Sequence, residues 1–411
     1  MKQFNVPDFY RSPLISKVKE YRRLQDPRKK DHAPTCLDFG KVKYYIARHF
    51  GFCYGVENAI EIAFKAIEEN PNKRIFLLSE MIHNPAVNND LLERGLQFLQ
   101  DTSGKQLIDF ATLKPDDIVI IPAFGAPLQL LQLLEDKGIQ TQAYNTTCPF
   151  VERVWKKSEQ IGASNHTIII HGKYNHEETR STFSRSEKDA QAVLVLRDMA
   201  ETEKLIPFIF NQKSQLEFEQ EFANKFSEGF NIQNHFEKIG VINQTTMLAT
   251  ETQEIADYLK SMMAKKYADN EIKNHFADTR DTLCYATKEN QDATLGLLKI
   301  SADLAIVVGG YNSSNTQHLV ELCEQKFKTY FVSSEKEIEN SKTIHHFNLH
   351  NKCRILSRDF LPEKAQISII ITSGASCPDS MLDQVINKIN AFFHISKTNA
   401  EVLKELHITN P

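Results

Sequence analysis

No apolar run in the chain approaches the length of a membrane span, which excludes a helical anchor and leaves no membrane partner to expect. The opening residues, Met1-Lys2-Gln3-Phe4-Asn5-Val6-Pro7-Asp8, lack the apolar core of a secretory signal, and no convincing transit-peptide pattern stands before the body of the chain. A cytoplasmic setting with reduced thiols is therefore expected. Neither sign of charge is in excess. Lys and Arg number 49 against 53 Asp and Glu, a formal net charge of −4, so no nucleic-acid partner is expected. There is no basic recognition helix, which argues against a DNA-binding sensor. The seven cysteines lack CxxC spacing, so zinc ribbons and ferredoxin-type electron wires match poorly. What remains is ordinary for a soluble enzyme: 41% hydrophobic and 25% charged residues, in 411 residues that leave room for two or three domains.

Three cysteines share one local setting. Each ends a strand-like run and opens a helix-like run: Cys53 in Gly51-Phe52-Cys53-Tyr54-Gly55-Val56, Cys148 in Thr146-Thr147-Cys148-Pro149, and Cys284 in Thr282-Leu283-Cys284-Tyr285. A thiol at a helix start meets unpaired N–H groups and the positive end of the dipole, which favours the metal-binding thiolate. One such cysteine alone is most simply a small buried residue. Three in the same context suggest one iron–sulfur cluster held by three protein ligands, with one iron left open for substrate. Cys323 reads as core. Cys36, Cys353 and Cys377 lie outside the repeated pattern.

From residue 41 onward, short β-branched or aliphatic runs alternate with amphipathic stretches. The runs fall at 42–47, 74–78, 117–121, 167–170, 192–196, 238–242, 304–308 and 367–371. Helix-like stretches include 56–69, 128–136, 151–161, 252–265 and 381–393. The alternation predicts α/β units with parallel strands and a site at the strands' C-terminal ends. The expected division is an N-terminal extension (1–40), α/β domains at 41–148, 149–283 and 284–394, and a tail at 395–411. A Phe- and Gln-rich insertion, expected to be helical, falls near 208–234. The basic, charge-dense residues 17–31 read as a solvated arm, or as a docking surface for an acidic partner.

Each unit carries a polar or glycine-rich motif after its strand. Besides the cysteine segments they are His83-Asn84-Pro85, Ala123-Phe124-Gly125-Ala126, His176-Glu177-Glu178-Thr179, Gln244-Thr245-Thr246, Asn312-Ser313-Ser314-Asn315 and Gly374-Ala375-Ser376. Singly these would be helix caps. Together, and in this order, they resemble the LytB/IspH family of 4-hydroxy-3-methylbut-2-enyl diphosphate reductases, over about residues 43–393 and in its longer plant and cyanobacterial branch.

The resemblance implies a trefoil of three small α/β domains with mostly parallel sheets around a central cluster. It implies one 4Fe-4S cluster with an open iron, ligated by Cys53, Cys148 and Cys284. Glu178 would be the proton-relay glutamate and Thr245 the threonine beside it. His83, His176, Ser313, Ser314, Asn315 and Ser376 would hold the diphosphate or its water network. Ferredoxin or flavodoxin would supply electrons, and the basic stretch 17–30 is expected to steer such a donor. Short-branch members of the family have a histidine where this chain has Phe124, so one phosphate contact is lost or supplied from elsewhere. The Phe124 ring is expected to pack inward, leaving the N–H groups of Gly125 and Ala126 to face the anion. The alternative lines the substrate's hydrocarbon part with the ring. A quinolinate-synthase-like dehydratase, using the open iron without net electron transfer, is the rival enzyme reading. A non-enzymatic iron–sulfur sensor is the other.

Overall fold

Strands built from uninterrupted apolar residues need cover on both faces, and helix-flanked parallel sheets give it. Leu304–Val308 is such a run, as is the Ile168–Ile170 centre of Thr167–His171, and every residue of both strands is buried. The computed structural model of the chain describes residues 4–28, 30–277 and 282–406. It is α/β with mostly parallel sheets, as the alternating pattern predicts. The described residues fall into two compact units, one drawn from Met1–Glu57, Ile82–Asp90 and Tyr285–Pro411, the other from Asn58–Met81 and Leu91–Cys284.

The first unit is built on a five-stranded sheet in the order Thr35–Asp38, Val42–Ile46, Ile367–Ser373, Leu304–Val308, Thr329–Val332. Only the first pair is antiparallel. Val42 lies beside Ile367, Ile369 beside Leu304, and Ala305 beside Thr329, all in parallel register. Val42–Ile46 therefore shares its sheet with strands from the last third of the chain. The sequence alone puts this strand in a contiguous 41–148 domain, but its matching run of β-branched residues lies in Ile367–Ser373. Helices Ser314–Glu324 and Asp379–Asn390 add Leu319, Cys323, Leu382 and Ile386 to the same core. A two-stranded antiparallel hairpin, Thr343–Asn348 and Cys353–Arg358, completes the unit's strands.

The stretch 17–31 is not the solvated arm that its charge predicts. Ile15–Gln25 is a helix, and Leu14, Ile15 and Val18 are buried in the sheet's core. Lys19 pairs with Asp379 at 2.5 Å and lies over the Phe50 ring, while Arg22 pairs with Asp31 at 2.6 Å. Charges engaged in this way leave a weaker field for steering an acidic donor. At the other end, Asn399–Glu405 is a helix opened by a Thr398–Glu401 capping box, with Val402 and Leu403 in the core. The remaining tail residues, 407–411, lie outside the described residues, as do Lys29 of the basic stretch and Asp281 before Cys284.

The second unit holds two three-stranded parallel sheets. One runs Gln97–Phe98, Ile75–Leu77, Ile118–Ile120, and the other Val193–Leu196, Thr167–His171, Ile239–Asn243. The Phe-rich insertion is helical, as expected, at Gln215–Glu221 and Ile232–His235. It is not peripheral. Phe208, Phe218, Phe222, Phe230 and Phe236 are buried together, with the Phe218 and Phe230 rings stacked at 4.8 Å.

Because Ile15 is fully buried, Ile15→Ala should cost about 2–5 kcal/mol of stability. Denaturant midpoints read this directly, and an unchanged midpoint would place the N-terminal helix outside the core.

Candidate active site

Parallel pairing lines up the loops that follow neighbouring strands along one sheet edge. In the first unit, residues 47–53, 374–378 and 309–313 follow three adjacent strands in this way. Cys53 donates its N–H to the Ala375 carbonyl at 3.1 Å, and its own carbonyl accepts from Glu57 as the helix Tyr54–Glu69 begins. Gly51 turns at φ +73°, and a Cβ there would lie 2.6 Å from Lys19 Nζ and 2.7 Å from Asp379 Oδ1. Only glycine fits both demands.

Asn315, in the first turn of Ser314–Glu324, binds this same edge. Its Oδ1 accepts from the Ala375 N–H at 2.8 Å and from Asn290 Nδ2 at 3.5 Å. Its Nδ2 is buried and has no hydrogen-bond partner among the described residues. A buried donor left open in a polar loop is what an anion's oxygen would satisfy. Ser313 caps the helix, its Oγ accepting from the Thr316 N–H and from Thr316 Oγ1 at 2.9 Å. Ser314 is buried beside it. Ser376 donates its hydroxyl to the His83 carbonyl at 3.0 Å, and His83 is buried. Asn84 then accepts from the Ala86 N–H at the start of the helix Pro85–Glu93. All the expected diphosphate residues except His176 thus belong to this unit.

In the second unit, Cys148 is the N-cap of Pro149–Gly162, with Pro149 at a first-turn position that suits it. Cys148 donates to the Ala123 carbonyl at 2.9 Å and accepts from the N–H groups of Val151 and Glu152. Arg153, on the helix that Cys148 opens, donates Nη2 to the Leu283 carbonyl at 2.9 Å, next to the buried Cys284. Thr282 donates to Asn243 Oδ1 at 2.6 Å. One guanidinium therefore ties the segments of two expected ligands together.

His176 and Glu178 follow Thr167–His171, and Thr245 follows the adjacent strand Ile239–Asn243. His176 is the N-cap of Glu177–Asp189, and its Nδ1 accepts from the Glu178 N–H at 3.2 Å. An accepting Nδ1 carries no proton, so the ring is neutral and its hydrogen sits on Nε2. It is not the imidazolium that a diphosphate would suggest, but it can donate one hydrogen bond. Glu178 is 1% exposed. Its Oε1 accepts from the Thr245 N–H at 2.5 Å and its Oε2 from Thr245 Oγ1 at 2.9 Å. Gln244 braces the pair, its Oε1 accepting from the Lys173 N–H and from Thr179 Oγ1, each at 3.1 Å.

Phe124 departs from the expected inward packing. Its ring is half-buried and meets His176 edge-on at 5.6 Å, outside the neighbouring apolar core. Gly125, at φ +74°, closes a turn by donating its N–H to the Pro122 carbonyl at 2.9 Å, so this N–H does not face an anion. Trp155 fills the space where a Cβ on Gly125 would stand.

Among the described residues, no cysteine is in a disulfide. Burial pushes the Cys323 and Cys377 thiols up to about 12 and raises Cys36 as well, so these three stay protonated. Among the described residues, no three His, Cys, Asp or Glu side chains gather as a site for a single ion. A four-iron cluster makes a different demand, since each thiolate meets its own iron. Three cysteines at helix starts, with Cys36, Cys323 and Cys377 kept protonated, suit that donor chemistry. Sequence reasoning missed Asn290 and Arg153. The available signal was a run of buried polar residues, Thr287, Asn290, Gln291 and Thr294, in the helix Tyr285–Leu297.

Residues 44–390 match the model of the LytB protein family. The chain belongs to that family. A Microcystis aeruginosa relative named 4-hydroxy-3-methylbut-2-enyl diphosphate reductase is 38% identical over 386 residues, 93% of this chain and 90% of its own. A Gloeothece citriformis relative of the same name is 38% identical over 385 residues, again 93% and 90%. The fold is shared with two solved structures. One, described as (E)-4-hydroxy-3-methyl-but-2-enyl diphosphate reductase, the terminal enzyme of the non-mevalonate pathway, aligns with TM-score 0.51 at 22% identity. It covers 84% of this chain and 98% of its own. The other, the Plasmodium falciparum E-1-hydroxy-2-methyl-but-2-enyl-4-diphosphate reductase, aligns with TM-score 0.59 at 20% identity, covering 89% and 98%. No helix among the described residues of this LytB protein is long and apolar enough to cross a membrane.

Thiols held near 12 barely ionise at about pH 8 and react slowly with alkylating agents. Iodoacetamide on the native protein should therefore modify the exposed Cys353 first, and Cys323 and Cys377 only after unfolding, as read by peptide mass spectrometry. Early labelling of Cys323 would contradict its place in the core.

Proposed function

We propose that this LytB protein converts (E)-4-hydroxy-3-methylbut-2-enyl diphosphate to isopentenyl and dimethylallyl diphosphate in the cytoplasm. Two electrons and two protons enter, the carbon–oxygen bond to the terminal hydroxyl breaks, and the oxygen leaves as water. Ferredoxin or flavodoxin is the proposed electron donor. Cys53, Cys148 and Cys284 would hold a 4Fe-4S cluster, which when bound supplies the electrons and a Lewis-acidic iron.

The observation that carries this reading is the buried Glu178–Thr245 pair. Two hydrogen bonds from Thr245 to this buried carboxylate favour its charged form. On taking up a proton, the bond to Thr245 Oγ1 reverses. Glu178 then donates to Thr245, whose own hydrogen is freed for the leaving hydroxyl. This is proton delivery by a positioned acid through one intervening hydroxyl. The substrate's diphosphate would be met by the open Nδ2 of Asn315, by the Nε2–H of His176, and by Ser313 and Ser314 at a helix start. His83 and Ser376, tied to each other through the His83 carbonyl, are further proposed contacts.

The reading is tested in protein prepared and assayed without oxygen. Cys53→Ser, Cys148→Ser and Cys284→Ser should each lose most of the iron and the brown visible absorption, whereas Cys323→Ser should keep both. A Cys148→Ser variant with a full, active cluster would remove the ligand assignment. Glu178→Gln keeps shape and polarity but cannot relay a proton. Its turnover should fall by about 10²–10⁴-fold while the cluster spectrum stays intact. Turnover that consumed no external electrons would instead favour a dehydratase.

A further inference from the structure

We propose that Tyr311, Glu337 and Arg354 form a clamp around the buried Glu337 carboxylate that sets the pose of residues 313–315, making the hairpin Thr343–Asn348/Cys353–Arg358 a positioning element for diphosphate binding. This rests on the reading that the diphosphate binds at Ser313–Asn315.

Tyr311 stands between the strand Leu304–Val308 and the serine-rich helix start. Its hydroxyl donates to the carboxylate of Glu337, which is only 5% exposed. The same carboxylate accepts from the Ser333 N–H at 2.6 Å and pairs with Arg354 Nη2 at 2.8 Å. Ser333 follows the strand Thr329–Val332, and Arg354 comes from the hairpin. Burial first, and the Glu337 carboxylate second, hold the Tyr311 phenol protonated well above its ordinary range. Tyr311 is thus a donor at every working pH. Its ring stacks on Phe347 of the hairpin at 4.7 Å and meets Phe331 edge-on at 5.1 Å. From the other side, Gln317 donates Nε2 to the Tyr311 carbonyl at 2.6 Å, and the Ser313 N–H donates to the Gly310 carbonyl at 3.0 Å.

A residue fixed at its ring, hydroxyl and carbonyl cannot shift without moving the backbone that leads into Ser313, Ser314 and Asn315. The Asn315 carboxamide must in turn keep its hydrogen bond to Ala375 for Nδ2 to stay aimed. Among the described residues, the hydrogen bonds and ion pair of the Glu337 carboxylate go to Tyr311, Ser333 and Arg354, none of them a proposed substrate contact or cluster ligand. The clamp acts through the loop, so its loss should weaken binding more than the reaction step.

The test uses the full chain with its cluster loaded and isopentenyl diphosphate as the probe, binding being measured by calorimetry. Tyr311→Phe removes one hydroxyl and keeps the ring. Arg354→Met removes one partner of Glu337 from a half-exposed position and serves if the first variant folds poorly. Asn315→Ala serves as the reference for the loop itself. Each clamp variant should raise Kd about five- to ten-fold, roughly 1–1.4 kcal/mol, with the catalytic loss falling on KM rather than kcat. The Tyr311→Phe and Asn315→Ala double variant should lose less than the sum of the two, because both act through one loop. If Asn315→Ala weakens binding but the clamp variants do not, or if the losses simply add, the clamp is overturned and the diphosphate reading stands. If Asn315→Ala leaves Kd unchanged, the diphosphate reading falls and takes the clamp with it.

Discussion

The parallel register between Val42–Ile46 and Ile367–Ser373 is the constraint on which the first unit depends. It joins opposite ends of the chain, so the turn at Cys53 comes to lie beside the turn at Gly374–Ser376, near enough for the Cys53 N–H to reach the Ala375 carbonyl. Ala375 donates in the other direction to Asn315, in the first turn of the helix that follows the next strand. One short peptide therefore spaces a proposed cluster ligand from a proposed diphosphate ligand. A register slip of one residue would turn every side chain of the central strand to its other face and dissolve both contacts together.

The second unit reaches a comparable end with a different device. There the strands deliver side chains that bind each other: Glu178 with Thr245, Gln244 with Thr179, and His176 with the Glu178 backbone. In a buried setting such bonds are strong when all partners are present and costly when one is missing. This holds an ionisable group in a single pose through a reaction that must add and remove protons. The edge-on contact of Phe124 with His176 belongs to the same arrangement and limits the imidazole's freedom.

Much of this was legible in the sequence because it depends on local chemistry. Fully buried parallel strands announce themselves as unbroken aliphatic runs, and the expected run at 238–242 is the strand Ile239–Asn243 to within one residue. Helix starts announce themselves by Ser, Asn, Cys-Pro and His-Glu. What stayed hidden depends on distant partners. The strand Thr343–Asn348 buries Ile344 and His346 on one face, but a histidine in that register and the mostly exposed, polar strand Cys353–Arg358 leave neither an apolar alternation nor an apolar run to mark the hairpin. The helix Ile15–Gln25 reads as a charged arm, since the few apolar residues that bury it are outnumbered by Lys, Arg and Glu. The turn at Gly125 was misread because a glycine there can serve a positive φ as well as an anion-facing N–H, and only the fold decides between them. The Tyr311 clamp has no local signature at all, because its three members come from three separate elements.

The order of synthesis makes the discontinuous sheet a demand on the cell. When Val42–Ile46 leaves the ribosome, its only available neighbour is Thr35–Asp38, and its other edge stays open until Ile367–Ser373 has been translated. The intervening residues can meanwhile build the sheets of the second unit from strands close in sequence. For most of translation the nascent chain thus carries an apolar strand with an unpaired edge, the kind of surface that invites aggregation or chaperone capture. Chains that terminate early, before the central strand, would be left with that edge open permanently.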